Sequence, residues 1–270
     1  MFRVSVPATS ANLGAGFDSL GLALSLYNEY EFSEEGTDLI FEGVEREFQN
    51  KDNVIFTSMQ KVFLKYGYKY KGLKIKVIKQ DVPISRGLGS SSSCIVAGLI
   101  GAFLIMGKEV NKEEILELAV EIEGHPDNVC PAIFGGITVS VMNDNKVFYN
   151  NIEYKDGIKF MALIPEFNLL TKTARAVLPQ KVDFKDAVYN LGRAALLMSC
   201  FANGKYELLE EATKDKLHQN YRGPLIEGYE EIHNEAFKLG ALAFFISGAG
   251  PTLMTIVKED DDKFKLGMEE

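Results

Sequence analysis

"PISRGLGSSSSC", residues Pro83–Cys94, is the stretch on which the reading of this chain turns. Two glycines bracket a leucine, four serines follow, and the apolar run "IVAGLIGAFLIM" begins at once. Upstream, "GLKIKVIKQDVP" alternates apolar and polar residues as a strand does and stops at Pro83. Downstream, Ile95, Val96, Leu99, Ile100, Phe103 and Leu104 cover nearly every face of a helix from about Ser90 to Met106, which makes it a buried, central helix. Glycines at the head of such a helix let the backbone approach a ligand closely. The N–H groups of its first turn, at the positive end of the helix dipole, favour phosphate oxygens. The hydroxyls of Ser90 to Ser93 can add hydrogen bonds, and one of them can ligate Mg²⁺. On this segment alone two alternatives stay open, a flexible linker and a core helix merely capped by serines. It is not a P-loop, because Ser90 stands where the lysine would be. Nor is it a dinucleotide fingerprint, since G-L-G-S-S-S lacks the third glycine. Some other group must neutralise the charge of whatever anion binds.

Composition limits the possibilities further. A chain of 270 residues, 46% of them hydrophobic, can bury the core of one large domain or two modest ones. Its 38 Asp and Glu against 29 Lys and Arg leave a formal charge of −9, which excludes non-specific affinity for nucleic acid or an anionic membrane surface. Cys94, Cys130 and Cys200 are odd in number, widely spaced and set among apolar neighbours, so they are expected to be reduced and buried, with neither a disulfide framework nor a zinc site. The opening "MFRVSVPATSANLG" has no apolar signal-peptide core, and the run from Cys94 to Met106 is shorter than the ~20 residues that span a bilayer. A cytoplasmic soluble protein is expected.

Along the chain, Phe2 to Ala8 alternates as a strand, "TSANLGAGFDSLG" forms a glycine-rich loop, and "LALSLYNEYEFS" is extended again. Val54, Met59, Val62, Phe63 and Tyr66 have helical spacing, Lys112 to Ile122 make an amphipathic helix, and "GITVSVM" returns to strand. After about Asn150 the pattern restarts. "IKFMALIPE" reads as a strand, "KDAVYNLGRAALLMSCFANG" and "YELLEEATKDKLHQ" as two helices, and "ALAFFISGAGPTLMTIVK" as strand, glycine turn and strand. No proline-rich or serine-rich linker separates the halves, so two α+β domains, 1–150 and 151–270, are expected to pack with a cleft between them.

Two further segments carry chemistry. "EIEGHPDNVCPA", Glu121–Ala132, gathers two glutamates, a histidine, an aspartate and an asparagine around a proline. Glu123 lies near a helix C-terminus, where a carboxylate is unfavourable unless a cation meets it, and Mg²⁺ between nucleotide phosphates is such a cation. The alternative is a solvated helix end with an Asp-Asn turn. "SGAGPT", Ser247–Thr252, is a tight turn between apolar strands that needs no ligand on its own.

Taken together and in order, "SANLGAGFD" (Ser10–Asp18), "PISRGLGSS" (Pro83–Ser91) and "SGAGPT" resemble the three motifs of the GHMP kinase superfamily over almost the whole chain. Within it, "PATSANLGAGFD", "EGHPDNVCPAIFGG", "TKTAR" and "YRGPLI" are similar to the marks of the homoserine kinases. The resemblance implies a two-domain α+β fold with an N-terminal half like ribosomal protein S5 and a C-terminal ferredoxin-like half. It also implies transfer of the ATP γ-phosphoryl group to the hydroxyl of L-homoserine, on the way to threonine. Members of the family run on beyond the position of Glu270 for a helix and a last strand, which the second domain is expected to lack.

The resemblance further implies that Pro83, Ile84, Ser85, Arg86, Gly87, Leu88, Gly89, Ser90, Ser91, Ser92 and Ser93 wrap the nucleotide, with Glu123 and a serine, taken as Ser91, holding Mg²⁺. Homoserine is a zwitterion, so Asp18 fits its ammonium and Arg175 and Arg222 its carboxylate. Asn12, His125 and Asn128 would orient the hydroxyl, with Thr171 and Gly248 completing the substrate side. Asn128, Glu123 and Asn12 form the catalytic set, and no residue is required as a dedicated base although Asp127 lies beside them. Taken singly, Asp18 could equally cap the segment after it, and either arginine could be a surface charge. A homodimer is compatible with the resemblance. Rival readings are a relative that phosphorylates shikimate or mevalonate, and a non-catalytic metabolite-binding relative.

Overall fold

Strand pairing joins the alternating segments at the start of the chain to those after the serine-rich loop. The computed structural model describes residues 1–144, 146–261 and 263–269. Its first sheet contains β1 (Phe2–Ala11), β2 (Leu20–Glu34), β3 (Leu39–Glu42), β4 (Leu73–Gln80), β5 (Ile137–Asn143) and β6 (Lys146–Ile152). The strand order is β3-β4-β2-β5-β6, with β1 also paired to β2. Strands β2 and β4 run antiparallel with a register shift between Glu29 and Tyr30, and β3 runs parallel to β4.

Helices α1 (Val54–Tyr66), α2 (Ser90–Ile105), α3 (Lys112–Glu123) and α4 (Val129–Phe134) bury their apolar residues with those of this sheet. Local signals set their ends. The Asn53 side chain accepts from the amides of Ile55 and Phe56 at the start of α1, and Gly67 in left-handed conformation ends it. The central helix, as its all-round apolar pattern predicts, buries residues on every side. Small residues let its neighbours close in. A Cβ on Gly98 would lie 2.3 Å from the Ile55 carbonyl oxygen, and one on Gly101 would lie 2.8 Å from the Phe32 ring.

After residue 150 come β7 (Ile158–Leu163), α5 (Thr171–Ala176), α6 (Phe184–Asn203), α7 (Leu209–Ala212), α8 (Gln219–Arg222), α9 (Tyr229–Lys238), β8 (Ala243–Ile246), β9 (Leu253–Lys258) and α10 (Lys263–Glu269). The sheet β7-β9-β8 is antiparallel throughout. Phe244, Ile246, Leu253 and Val257 from the sheet pack with Ala236 of α9 and Phe264 of α10. By contact the chain divides into two units, Met1–Thr9, Leu22–Ile84 and Gly89–Asn150 in one, and Ser10–Gly21, Ser85–Leu88 and Asn151–Glu270 in the other. Both short excursions into the second unit carry glycine-rich motifs.

One expected helix is broken. "YELLEEATKDKLHQ" forms a 3-10 turn at Tyr206–Leu208 and the four-residue α7, and then leaves helical geometry. The cause is Asp215, whose carboxylate accepts from the amides of Leu217 (3.0 Å), His218 (2.8 Å) and Gln219 (2.6 Å) and so starts α8 afresh. Strands β3 and β6 and helices α5, α9 and α10 add to the elements expected from periodicity.

Candidate active site

In the first unit, everything converges on the start of α2. Its N-cap is Gly89, held at φ 70°, and no side chain caps the helix. A Cβ there would sit 2.0 Å from Thr9 Oγ1, so only glycine fits. The Ser93 amide donates to the Gly89 carbonyl at 2.8 Å, which leaves the amides of Ser90, Ser91 and Ser92 with no intrahelical acceptor. The serines therefore do not cap the helix, and its first turn presents N–H groups.

Their hydroxyls divide. Ser91 Oγ donates to Glu123 Oε2 at 3.3 Å and Ser92 Oγ to Glu123 Oε1 at 3.0 Å. Glu123 is the last residue of α3, before the left-handed Gly124, so its carboxylate adds to the negative end of that helix. Two hydroxyls and a carboxylate make a hard-oxygen set suited to a small divalent cation. Ser93 departs from expectation. It is buried and shares a 2.9 Å hydrogen bond with the Tyr30 hydroxyl, so its side chain belongs to the core and not to a ligand. Cys94 lies beside the same hydroxyl, and burial pushes its thiol up from its ordinary value.

The segment after α3 places three polar side chains. His125 Nδ1 lies 2.5 Å from Asp127 Oδ1, and Asp127 is 2% exposed. Asn128 precedes α4 and its Oδ1 accepts from Thr9 Oγ1 at 2.8 Å. Thr9 thus touches both Asn128 and Gly89. The sequence reading missed it, because a buried hydroxyl near the end of β1 carries no periodic signal.

In the second unit the first-motif loop, Ser10–Gly21, is held at several points. Asn12 and Asp18 take left-handed φ values of 71° and 55°. Asn12 Oδ1 accepts from the Asp18 amide at 3.0 Å, while its Nδ2 donates to the Gly248 carbonyl at 2.9 Å. Asp18 does not cap a helix. Its carboxylate takes two bonds from Arg175, at 2.7 and 3.1 Å, so the groups expected at opposite ends of an amino acid meet each other. Thr171, exposed at the start of α5, is one turn from Arg175. Arg222 is not a surface charge. It is 2% exposed and donates to the carbonyls of Ala174 (3.1 Å) and Gly248 (2.8 Å).

The middle of the serine-rich motif belongs to this second unit too. The Ser85 carbonyl accepts from the Leu169 amide at 3.2 Å, the Arg86 carbonyl from Thr252 at 3.2 Å, and the Gly87 carbonyl from Ser247 Oγ at 2.6 Å. The Arg86 guanidinium donates to Asn168 Oδ1 and the Pro165 carbonyl, so it does not stand in for the absent lysine. Leu88 is buried, while Pro83 and Ile84, in the first unit, are half-buried and exposed.

Comparison with known proteins follows the same segments. Residues 53–136 match the family model for the GHMP kinases N terminal domain, and residues 197–267 match that for the GHMP kinases C terminal. The chain is 56% identical to a homoserine kinase of Clostridium beijerinckii over 270 residues, covering 100% of this chain and 91% of that protein. It is 54% identical over 264 residues to a homoserine kinase of Clostridium botulinum, covering 98% and 89%. The crystal structure of homoserine kinase from Cytophaga hutchinsonii superposes with a TM-score of 0.87 at 25% identity, covering 99% of this chain and 89% of that one.

Proposed function

The chain belongs to the homoserine kinases of the GHMP kinase family and uses ATP to phosphorylate the side-chain hydroxyl of L-homoserine, giving O-phospho-L-homoserine for threonine synthesis; from that premise we propose how its residues divide the work. Phosphoryl transfer asks for positioning and charge stabilisation and little covalent chemistry. The glycine-rich backbone from Pro83 to Ser92, with the amides opening α2, receives the nucleotide phosphates. Glu123 with the hydroxyl of Ser91 holds Mg²⁺, and Ser92, equally placed, shares the carboxylate. When bound, that ion supplies positive charge to phosphate oxygens, the service a P-loop draws partly from lysine.

On the acceptor side, Asp18 receives the homoserine ammonium and Arg175 and Arg222 its carboxylate. The Asp18–Arg175 pair then exchanges its mutual bonds for bonds to the substrate, which keeps each charge partnered before and after binding. Asn128, steadied by Thr9, orients the reacting hydroxyl. His125, held by Asp127, lines the same substrate position, and the hydroxyl proton leaves towards phosphate oxygen without a dedicated base. Asn12 acts through Asp18 and Gly248 as a strut. Residues 1–150 make the nucleotide-binding domain and 151–270 the C-terminal domain, apart from Ser10–Gly21 and Ser85–Leu88, which group by contact with the second. We extend to the chain a cytoplasmic location and a homodimer; among the described residues no helix is long and apolar enough to cross a membrane.

The observation that carries this division is the meeting of Ser91 and Ser92 with Glu123 at the uncapped start of α2. The test is ADP release with L-homoserine, shikimate and mevalonate as acceptors. Turnover is expected with homoserine in the presence of Mg²⁺, and turnover of either other alcohol in its place would overturn the acceptor assignment.

A further inference from the structure

We infer that His218 is a positioning residue of the homoserine site, tying the loop that carries Asp18 to the guanidinium of Arg222. The inference rests on the assignment of those two residues to the amino-acid substrate. Nothing in the motifs marks His218, which lies just before α8 with 0% of its surface exposed.

Its tautomer follows from its partners. Nε2 lies 2.8 Å from the Gly14 carbonyl oxygen, and a carbonyl only accepts, so Nε2 carries the hydrogen. Nδ1 of a neutral ring is then an acceptor, and Arg222 Nη1 faces it at 3.5 Å. Burial away from water, the largest influence on this ring, keeps it neutral by lowering its pKa, and the nearby Arg222 charge acts the same way. Asp215 Oδ2, 3.8 Å from Nε2, is the second influence and opposes burial, ahead of the Arg222 charge, with the Gly14 carbonyl and Asp18 adding to it; burial outweighs them and the shift is downward.

Both partners lead to the substrate residues. Gly14 precedes Asp18 by one turn of the same loop, and its position leaves no latitude, because a Cβ there would lie 2.2 Å from the Thr213 carbonyl oxygen. The adjoining Ala15 carbonyl accepts from Asn190 Nδ2 at 3.2 Å, and the same amide nitrogen donates to Asp215 at 2.6 Å. Phe17 of the loop lies beside the His218 ring, 5.3 Å between centroids, and beneath the Arg222 guanidinium, 5.3 Å from its centroid. The His218 side chain reaches both the loop backbone and the arginine. Through it the carboxylate meant for the ammonium and the cation meant for the carboxylate keep a fixed spacing. A substrate with both charges on one carbon needs that spacing held.

Two substitutions take the two arms apart. His218→Gln places an amide N–H where Nε2 lies and keeps the bond to Gly14, whereas His218→Asn places an acceptor near Nδ1 and loses the bond to Gly14. Full-length wild type, both variants and Arg222→Gln are compared for kcat and for KM of homoserine and of MgATP, with thermal melts to establish folding. His218→Asn is expected to raise the homoserine KM about tenfold or more and His218→Gln by a smaller factor, with the MgATP KM unchanged and kcat at saturating homoserine lowered less than about threefold. Folded His218 variants with wild-type homoserine KM, beside an Arg222→Gln enzyme whose KM is raised, overturn the role of His218 alone. Unchanged homoserine KM in Arg222→Gln overturns the substrate assignment beneath it. Equal shifts in both KM values, or loss of folding in both His218 variants, would mean that the histidine serves only the structure.

Discussion

Replacing Glu123 by glutamine removes the charge of this side chain while keeping its shape. The carboxamide retains an oxygen able to accept from Ser91 or Ser92, whose hydroxyls stand 3.3 and 3.0 Å from the carboxylate oxygens. Hydrogen bonds to a charged acceptor contribute roughly 1.5–3 kcal/mol each and to a neutral one nearer 1, so some stability is lost. Against that, the carboxylate ends α3, where the helix dipole disfavours it by about 0.3–1 kcal/mol. The opposing effects leave a stability change of about 1–2 kcal/mol, seen as a modest shift in melting temperature.

Turnover should respond on a different scale. If Glu123 holds the cation that bears on the transferring phosphoryl group, losing its charge removes several kcal/mol from the transition state, and about 3–4 kcal/mol corresponds to roughly 200- to 1000-fold in kcat. The assay is coupled ADP release at saturating homoserine and ATP with magnesium titrated, and the apparent magnesium affinity should fall with kcat. Asp127→Ala is the comparison, because Asp127 touches His125 and not the serines, and its loss should be smaller than that of Glu123→Ala. A Glu123→Gln enzyme within about threefold of wild type across the titration would refute the reasoning, as would an Asp127→Ala enzyme weaker than Glu123→Ala.

Asp18→Asn is expected to leave the melting temperature nearly unchanged, since its pair with Arg175 is more than a third exposed and such pairs contribute only about 0–1 kcal/mol. It should raise the homoserine KM by about tenfold or more with the MgATP KM unaltered, and an unaltered homoserine KM would remove Asp18 from the ammonium site. Burial holds the folded pKa of His218 below its unfolded value of about 6.5, so under that pH the unfolded chain binds more protons than the folded one. Stability is then full above about pH 6.5 and falls as the pH is lowered from there; denaturant melts from pH 7 to 5.5 should show this slope in wild type and a shallower one in His218→Gln, and equal slopes would contradict it.

How much could be read from sequence depended on how far apart the interacting residues lie. Helix α2 was legible because its signal is local, with apolar residues on every face and a glycine run at its head. Strand β3 was not, because four residues give too few alternations to stand out. The stretch from Tyr206 to Gln219 misled for a different reason. Its pattern suits a helix, but the Asp215 side chain competes for the backbone amides and wins. The glycine-rich segments and the Glu121–Ala132 cluster stood out as segments, while the pairings of their side chains did not: Thr9 meets Asn128 across 119 residues and Asp18 meets Arg175 across 157. Such contacts leave no period in the chain.

The lysine missing from "PISRGLGSSSSC" shows where the two kinds of reading meet. Arg86 is the one cation inside that stretch. In the structure its guanidinium is committed to Asn168 and to the Pro165 carbonyl, so it fastens the loop and does not serve as a counter-charge. The charge of the nucleotide phosphates then falls to the uncapped amides of Ser90 to Ser92 and to the cation that Glu123 would hold. Backbone amides cannot be removed by a side-chain substitution, and Arg86 is already occupied. Glu123 is therefore the place where a single neutral substitution should cost the most turnover for the least stability.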